Sequence, residues 1–142
     1  MITTDTPLIL RHLDTIHALI SNSYWAKQMP KVLLEKAIQN SLSFMYLDDK
    51  GEFQGFCRVI TDYATFAYLA DVIVEESARG KGVGKAIVQA VVDHPELQGL
   101  RRFMLATFDA HTLYEKFGFV AVPDPSILMQ ICHPTIYSDL QN

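Results

Sequence analysis

Residues 79–84 read Arg-Gly-Lys-Gly-Val-Gly, three glycines and two cations in six positions. Glycine lets a backbone turn tightly and approach a ligand closely. If a helix starts here, its first amides lack partners inside the helix and carry the positive end of its dipole. A loop of this kind holds a phosphate or pyrophosphate. A second residue with chemical potential is Asp71, a carboxylate inside the apolar run 68–74, Tyr-Leu-Ala-Asp-Val-Ile-Val. An unpaired charge there would be costly, so Asp71 must be paired or reach water in a cleft. It suits a base for an amine or an anchor for a cationic ligand. Its other reading is a structural bond to the loop or to a basic side chain such as Arg58.

The flanking elements say how the loop is held. The run 68–74 is nearly continuously apolar and rich in branched residues, as a strand covered on both faces would be. Val83, Ala86, Ile87, Ala90 and Val91 then fall on one face at helical spacing. His94-Pro95 ends that helix, and residues 101–107 read as the next strand. Strand, glycine loop, helix and strand form a right-handed βαβ unit with parallel strands. The unit is not a P-loop: Gly84-Lys85 is followed by Ala86, and Arg79 stands where the earlier glycine belongs. It is not a dinucleotide fingerprint either, because Lys85 or Ile87 occupies the third glycine position. The pattern that remains is Arg-x-x-Gly-x-Gly, filled by Arg79, Gly82 and Gly84.

That pattern resembles the acetyl-CoA loop of the GNAT superfamily of N-acetyltransferases. Residues 113–119, Leu-Tyr-Glu-Lys-Phe-Gly-Phe, resemble the Leu-Tyr-x-x-x-Gly-Phe signature near the end of those domains. Order and spacing of the two motifs match as well. The resemblance is good from residue 68 to 119 and loose before that. It implies a mixed α/β fold: a central mixed sheet of about six to seven strands, helices on both faces, and a splayed parallel strand pair with acetyl-CoA in the gap. It further implies backbone pairing of the pantetheine arm with Val72, Ile73 and Val74. The pyrophosphate would sit on the amides of Gly80, Lys81, Gly82, Val83, Gly84 and Lys85, with charge from Arg79, Lys81 and Lys85. The alternative for Lys81 and Lys85 is a solvated helix start.

The same resemblance implies chemistry. An amine attacks a thioester, an oxyanion forms and a thiolate leaves, so a donor and an acid are needed. The amides of residues 72–74 suit the first role. Tyr114 is implied as the general acid, since a phenol of pKa about 10 keeps its proton at neutral pH; its other reading is aromatic packing. Tyr24 and Trp25, in the polar stretch 21–27, are candidates for the acceptor pocket, with core anchoring the alternative for Trp25. Asp62 is a further acceptor candidate, and His111 reads as a surface or helix-start residue. The family often has Asn seven residues before its tyrosine, whereas this chain has Thr107. The expected activity is acetyl transfer to a primary amine of a small molecule or a protein. A non-catalytic acyl-CoA binding or sensing module is the alternative.

The remaining elements complete a single domain over residues 1–142. Strands are expected at 7–10, 42–47, 53–61, 66–74, 119–122 and 127–132. Helices are expected from a cap at Asp14 to about Asn22, over 31–40 and over 112–117. Asp48-Asp-Lys-Gly51 signals a hairpin. Twelve basic against sixteen acidic side chains give −4, no footprint for nucleic acid. No apolar run nears the ~20 residues of a membrane helix, and no signal-peptide layout opens the chain. Cys57 and Cys132 read as reduced core residues of a cytoplasmic protein, without the spacing of a metal site. A homodimer would be ordinary for such a domain.

Overall fold

The computed structural model describes residues 1–140. Strand β1 (Ile2–Thr3) is followed by helices α1 (Thr6–Leu10), α2 (Leu13–Ser21) and α3 (Lys31–Gln39). An antiparallel meander comes next, β2 (Leu42–Leu47), β3 (Phe53–Thr61) and β4 (Phe66–Val74). Helix α4 (Val83–Asp93) crosses to β5 (Arg102–Met104), which runs parallel to β4. Two short helices follow, α5 (His111–Glu115) and α6 (Ile136–Leu140).

The sheet is mixed, and its order is β1-β2-β3-β4-β5. Adjacent residues on a strand face opposite sides, and the two cores divide accordingly. Met45 and Phe56 join Ile9, Ile16, Ile20, Leu34 and Ile38 of α1–α3 in one cluster. Phe44 and Cys57 join Ile87, Val88 and Val91 of α4, and Tyr114 of α5, in the other. Helices therefore cover both faces. One residue missed by the sequence reading sets the spacing of the second layer. A Cβ on Gly55 would lie 2.8 Å from Ile87 Cδ1 and 3.0 Å from both Ile73 O and Val83 Cγ1. Only glycine lets the start of α4 sit that close to β3.

Several expectations are corrected. Among the described residues five strands form, not six or seven. Residues 7–10 are helical, because Asp5 caps the turn through the Leu8 amide at 3.0 Å and Pro7 lies in the first turn, where its missing N–H costs nothing. Helix α2 starts at Leu13 behind His12; Asp14 lies in its first turn and pairs with Lys31 at 2.6 Å instead of capping. Strand β5 is three residues, shorter than 101–107. Residues 119–122 and 127–132 form no strand; the chain there is irregular apart from a 3-10 turn at Pro125–Ile127. Cys57 is buried, but Cys132 is exposed and is no core residue. Among the described residues, no helix is long and apolar enough to cross a membrane.

Candidate active site

The site begins where β4 outruns its neighbour. Pairing with β5 ends at Tyr68 and Met104, while pairing with β3 continues to Val74 opposite Gly55. Ile73 and Val74 therefore keep their β3 partners, while the stretch holding Val72, Ile73 and Val74 has no partner in β5. Past Val74, a 3-10 turn at Glu76–Ala78 leads to Arg79. Gly80 and Gly82 both adopt left-handed backbone, φ 77° and 81°, a region L side chains rarely enter. Gly82 is the N-cap of α4. The first bond at this end is Ala86 N–H to Gly82 O at 3.0 Å, so the amides of Val83, Gly84 and Lys85 precede any partner the helix offers. A Cβ on Gly80 or Gly82 would meet nothing within 4 Å; the space above the loop is open. Arg79, Lys81 and Lys85 are exposed and form no salt bridge among the described residues. The loop thus presents amides, positive charge and open space, which fits a pyrophosphate.

Tyr114 enters from α5. It is 9% exposed and belongs to the core cluster of Cys57, Leu69 and α4, which Val72 and Val74 also border. Its ring packs edge-on against Phe119, centroids 6.0 Å apart. Its hydroxyl has no hydrogen-bond partner among the described residues, and Ser43 Oγ is the only fully buried polar side-chain atom left without one. Burial, then the neighbouring Cys57, Tyr24 and Asp109, push the Tyr114 phenol up to about 12. It is a proton-bearing group at any physiological pH. Thr107 opens the turn into α5: its Oγ1 accepts from Ala110 N–H at 3.0 Å. The Gly118 φ of 94° and the Phe119 N–H to Tyr114 O bond at 3.3 Å close the other end.

Asp71 stands at an irregularity in the β3–β4 ladder, where the register shifts between Phe56 and Arg58. Its φ is 57°, a conformation Asp tolerates better than most residues. Oδ2 accepts from Arg58 Nε at 2.6 Å, and Oδ1 accepts from Trp25 Nε1 at 2.9 Å. Arg58 also donates to Ser41 Oγ at 3.1 Å. The pair is largely buried, with side chains 15% and 7% exposed. The structural bond to Arg58 is thus realised, and it also ties the 21–27 loop to the sheet. Burial first and the Asp71 charge second hold the Cys57 thiol far above its usual range.

Tyr24 and Trp25 are exposed, rings edge-on at 5.0 Å, and Tyr24 also lies 5.3 Å from Phe108. Phe108, a residue no motif flags, completes an aromatic wall beside Tyr114. Asp62 is occupied elsewhere. It accepts from the amides of Ala64, Thr65 and Phe66 and from Thr65 Oγ1, bonds that hold its carboxyl well below the usual range. It caps the β3–β4 turn. His111 is exposed at the start of α5.

The geometry has counterparts in known proteins. Residues 11–119 match the model of the acetyltransferase (GNAT) family. A Gibberella zeae protein assigned as an acetyltransferase, FG08082, is 31% identical over 138 residues, covering 82% of this chain and 76% of that one. A crystal structure of a GNAT-family protein from Xanthomonas campestris superposes with TM-score 0.92 at 47% identity, over 97% of this chain and 96% of that one. Rv2747 of Mycobacterium tuberculosis, solved with CoA, shares the fold at TM-score 0.68 and 18% identity, over 86% of this chain and 72% of that one. The fold, the glycine loop and these matches agree: the chain belongs to the GNAT family of acetyltransferases.

Proposed function

We propose that the protein is an acetyl-CoA-dependent N-acetyltransferase, acting on a primary amine of a small molecule or a protein, with Tyr114 as general acid. The observation that carries this reading is the run of β4 past its last pairing with β5 into a glycine loop at the start of α4. A neighbour of the same fold holds CoA, which supports the cofactor. When bound, acetyl-CoA supplies a thioester carbonyl. The free ladder of Val72, Ile73 and Val74 suits added-strand pairing with its amide-bearing arm, and an amide there suits the oxyanion. The amides from Gly80 to Lys85, with Arg79, Lys81 and Lys85, suit its phosphates. Tyr114 holds its proton through neutral pH and gives it to the departing sulfur.

The acceptor amine is assigned to the wall of Tyr24, Trp25 and Phe108, where aromatic faces stabilise a cationic head before it is deprotonated. Asp71 has both oxygens engaged, so its role is to hold Trp25 and the β4 irregularity; the amine proton leaves to water. The test is thiol release from acetyl-CoA with amines ranked first by thermal shift. Tyr114→Phe should lower transfer by about 10²–10⁴ with CoA affinity unchanged. Undiminished turnover removes Tyr114 from the role. CoA binding without thiol release for any amine favours the acyl-CoA sensing module instead.

A further inference from the structure

The loop between β5 and α5 carries a carboxylate that the fold leaves unused. Asp109 is exposed, and among the described residues it forms no ion pair and accepts no hydrogen bond. An acidic residue just before a helix ordinarily caps it. Here the N-cap is Ala110, which makes no side-chain capping bond, and Thr107 Oγ1 accepts from the Ala110 amide at 3.0 Å. Thr107 closes the turn, and Asp109 has no structural task in it.

Its place is specific all the same. Phe108, 82% exposed, meets Tyr24 with ring centroids 5.3 Å apart, so the 107–110 turn touches the 21–27 loop. The Tyr114 amide donates to Ala110 O at 3.3 Å, which sets the tyrosine one helical turn past the same loop. Asp109 and Tyr24 both stand close enough to the Tyr114 phenol to raise it. The other carboxylate of this region, Asp71, is matched by Arg58 at 2.6 Å and also holds Trp25. Asp109 is thus a charge without a partner at the rim of the site, next to the exposed rings of Tyr24, Trp25 and Phe108. Aromatic faces draw a cation, and a carboxylate adds a charge-assisted hydrogen bond to its N–H groups. The same charge repels a second carboxylate. The formal charge of −4 works in the same direction.

We infer that Asp109, with Tyr24 and Phe108, selects the acceptor as an ammonium ion that has no carboxylate beside it. An alkylamine or a diamine is admitted; a free α-amino acid is turned away. This deepens the acetyltransferase reading and rests on it, giving the acceptor side a charge rule. Asp109 binds the cation and fixes specificity; the proton lost before attack still leaves to water.

Trp25 is the sole tryptophan and its ring lies 5.0 Å from that of Tyr24, so its emission reports on this wall. The full chain, in the presence of CoA, is titrated with phenethylamine, 2-phenylethanol and phenylalanine. These share one aryl-ethyl body and carry an ammonium, no charge, and an ammonium with a carboxylate. Phenethylamine should saturate the emission change, with the other two at least about fivefold weaker. Its advantage over the alcohol should shrink as salt is raised. Asp109→Asn should weaken phenethylamine by at least about fivefold, leave the alcohol unchanged and narrow the gap to phenylalanine. A wild type in which phenethylamine produces no saturable change, or binds no better than the alcohol or phenylalanine, overturns the proposal. So does a folded Asp109→Asn that keeps the full preference. The wild-type titrations need no variant, so they decide even if Asp109→Asn misfolds. Ammonium binding that depends on Asp109, without thiol release from acetyl-CoA for any amine, would keep the cation site and contradict the enzyme. Thiol release with the preference intact in Asp109→Asn would contradict the cation site alone.

Discussion

At the scale of single residues, Tyr114 and Asp71 differ in what the structure leaves free. Tyr114 has an unpartnered hydroxyl and a phenol raised to about 12, so its acid form persists as pH rises. The sign is simple: a raised value extends the range over which the proton is present. Acetyl transfer to an alkylamine should therefore climb with pH as the amine, of pKa near 10, deprotonates. It should not turn down below about pH 11; a falling limb near pH 9 that persists in Tyr114→Phe would assign the acid to another group, and one that disappears in Tyr114→Phe would show that the phenol is not raised. Asp71 has both oxygens used by Arg58 and Trp25. Asp71→Ala leaves the Arg58 charge without its partner and puts a Cβ-only side chain at φ 57°; it should cost about 3 kcal/mol in denaturant unfolding. Asp71→Asn, which tolerates left-handed backbone and can still accept from Trp25, should cost clearly less. Equal losses would show that only the charge matters there.

Between residues and molecule, the elements decide what a motif can do. The glycine loop was legible because its residue types are what its backbone needs: Gly80 and Gly82 lie where φ is positive. The meander and α4 were legible from periodicity, and the strand bounds 42–47, 53–61 and 66–74 match the structure. Residues 7–10 were not, because four apolar-biased positions carry no period and the cap at Asp5 decides them. Phe108 and the contact of Trp25 with Asp71 depend on loops meeting across the fold, for which local sequence holds no signal. Gly55 is a third such case, an unremarkable glycine in a strand until α4 lies over it. Gly55→Ala should destabilise the fold by about 1–3 kcal/mol through overpacking against Ile87 and Val83. It should also weaken CoA binding, because α4 carries the amides proposed to hold its phosphates. Stability loss with CoA affinity intact would separate the packing of α4 from the placing of its first turn.

For the molecule as a whole, the sheet divides the chain into a scaffold face and a working face. The α1–α3 layer covers one side. The other side carries α4, α5 and the side chains of Val72 and Val74, with the glycine loop and Tyr114, whereas Ile73 packs on the α1–α3 side; the aromatic wall reaches over from the 21–27 loop. Strand expectations failed at residues 7–10, which are helical, and after β5, where residues 119–122 and 127–132 have strand composition but form no strand. Composition sets the propensity of a segment; the availability of an edge decides whether it becomes a strand. The proposed seat of CoA on this face is the loop from Arg79 to Lys85. Titration calorimetry of CoA and acetyl-CoA, with ATP and NAD as comparisons, addresses it most directly, using the wild type beside Gly82→Val. Saturable binding of CoA and acetyl-CoA is expected, with weaker heats from ATP and NAD, and Gly82→Val should lose most of its CoA affinity, since valine is strained at φ 81° and its side chain enters the open space above the loop; its circular dichroism checks that it stays folded. Tight binding of ATP or NAD with none of CoA, or CoA affinity unchanged in folded Gly82→Val, would contradict it.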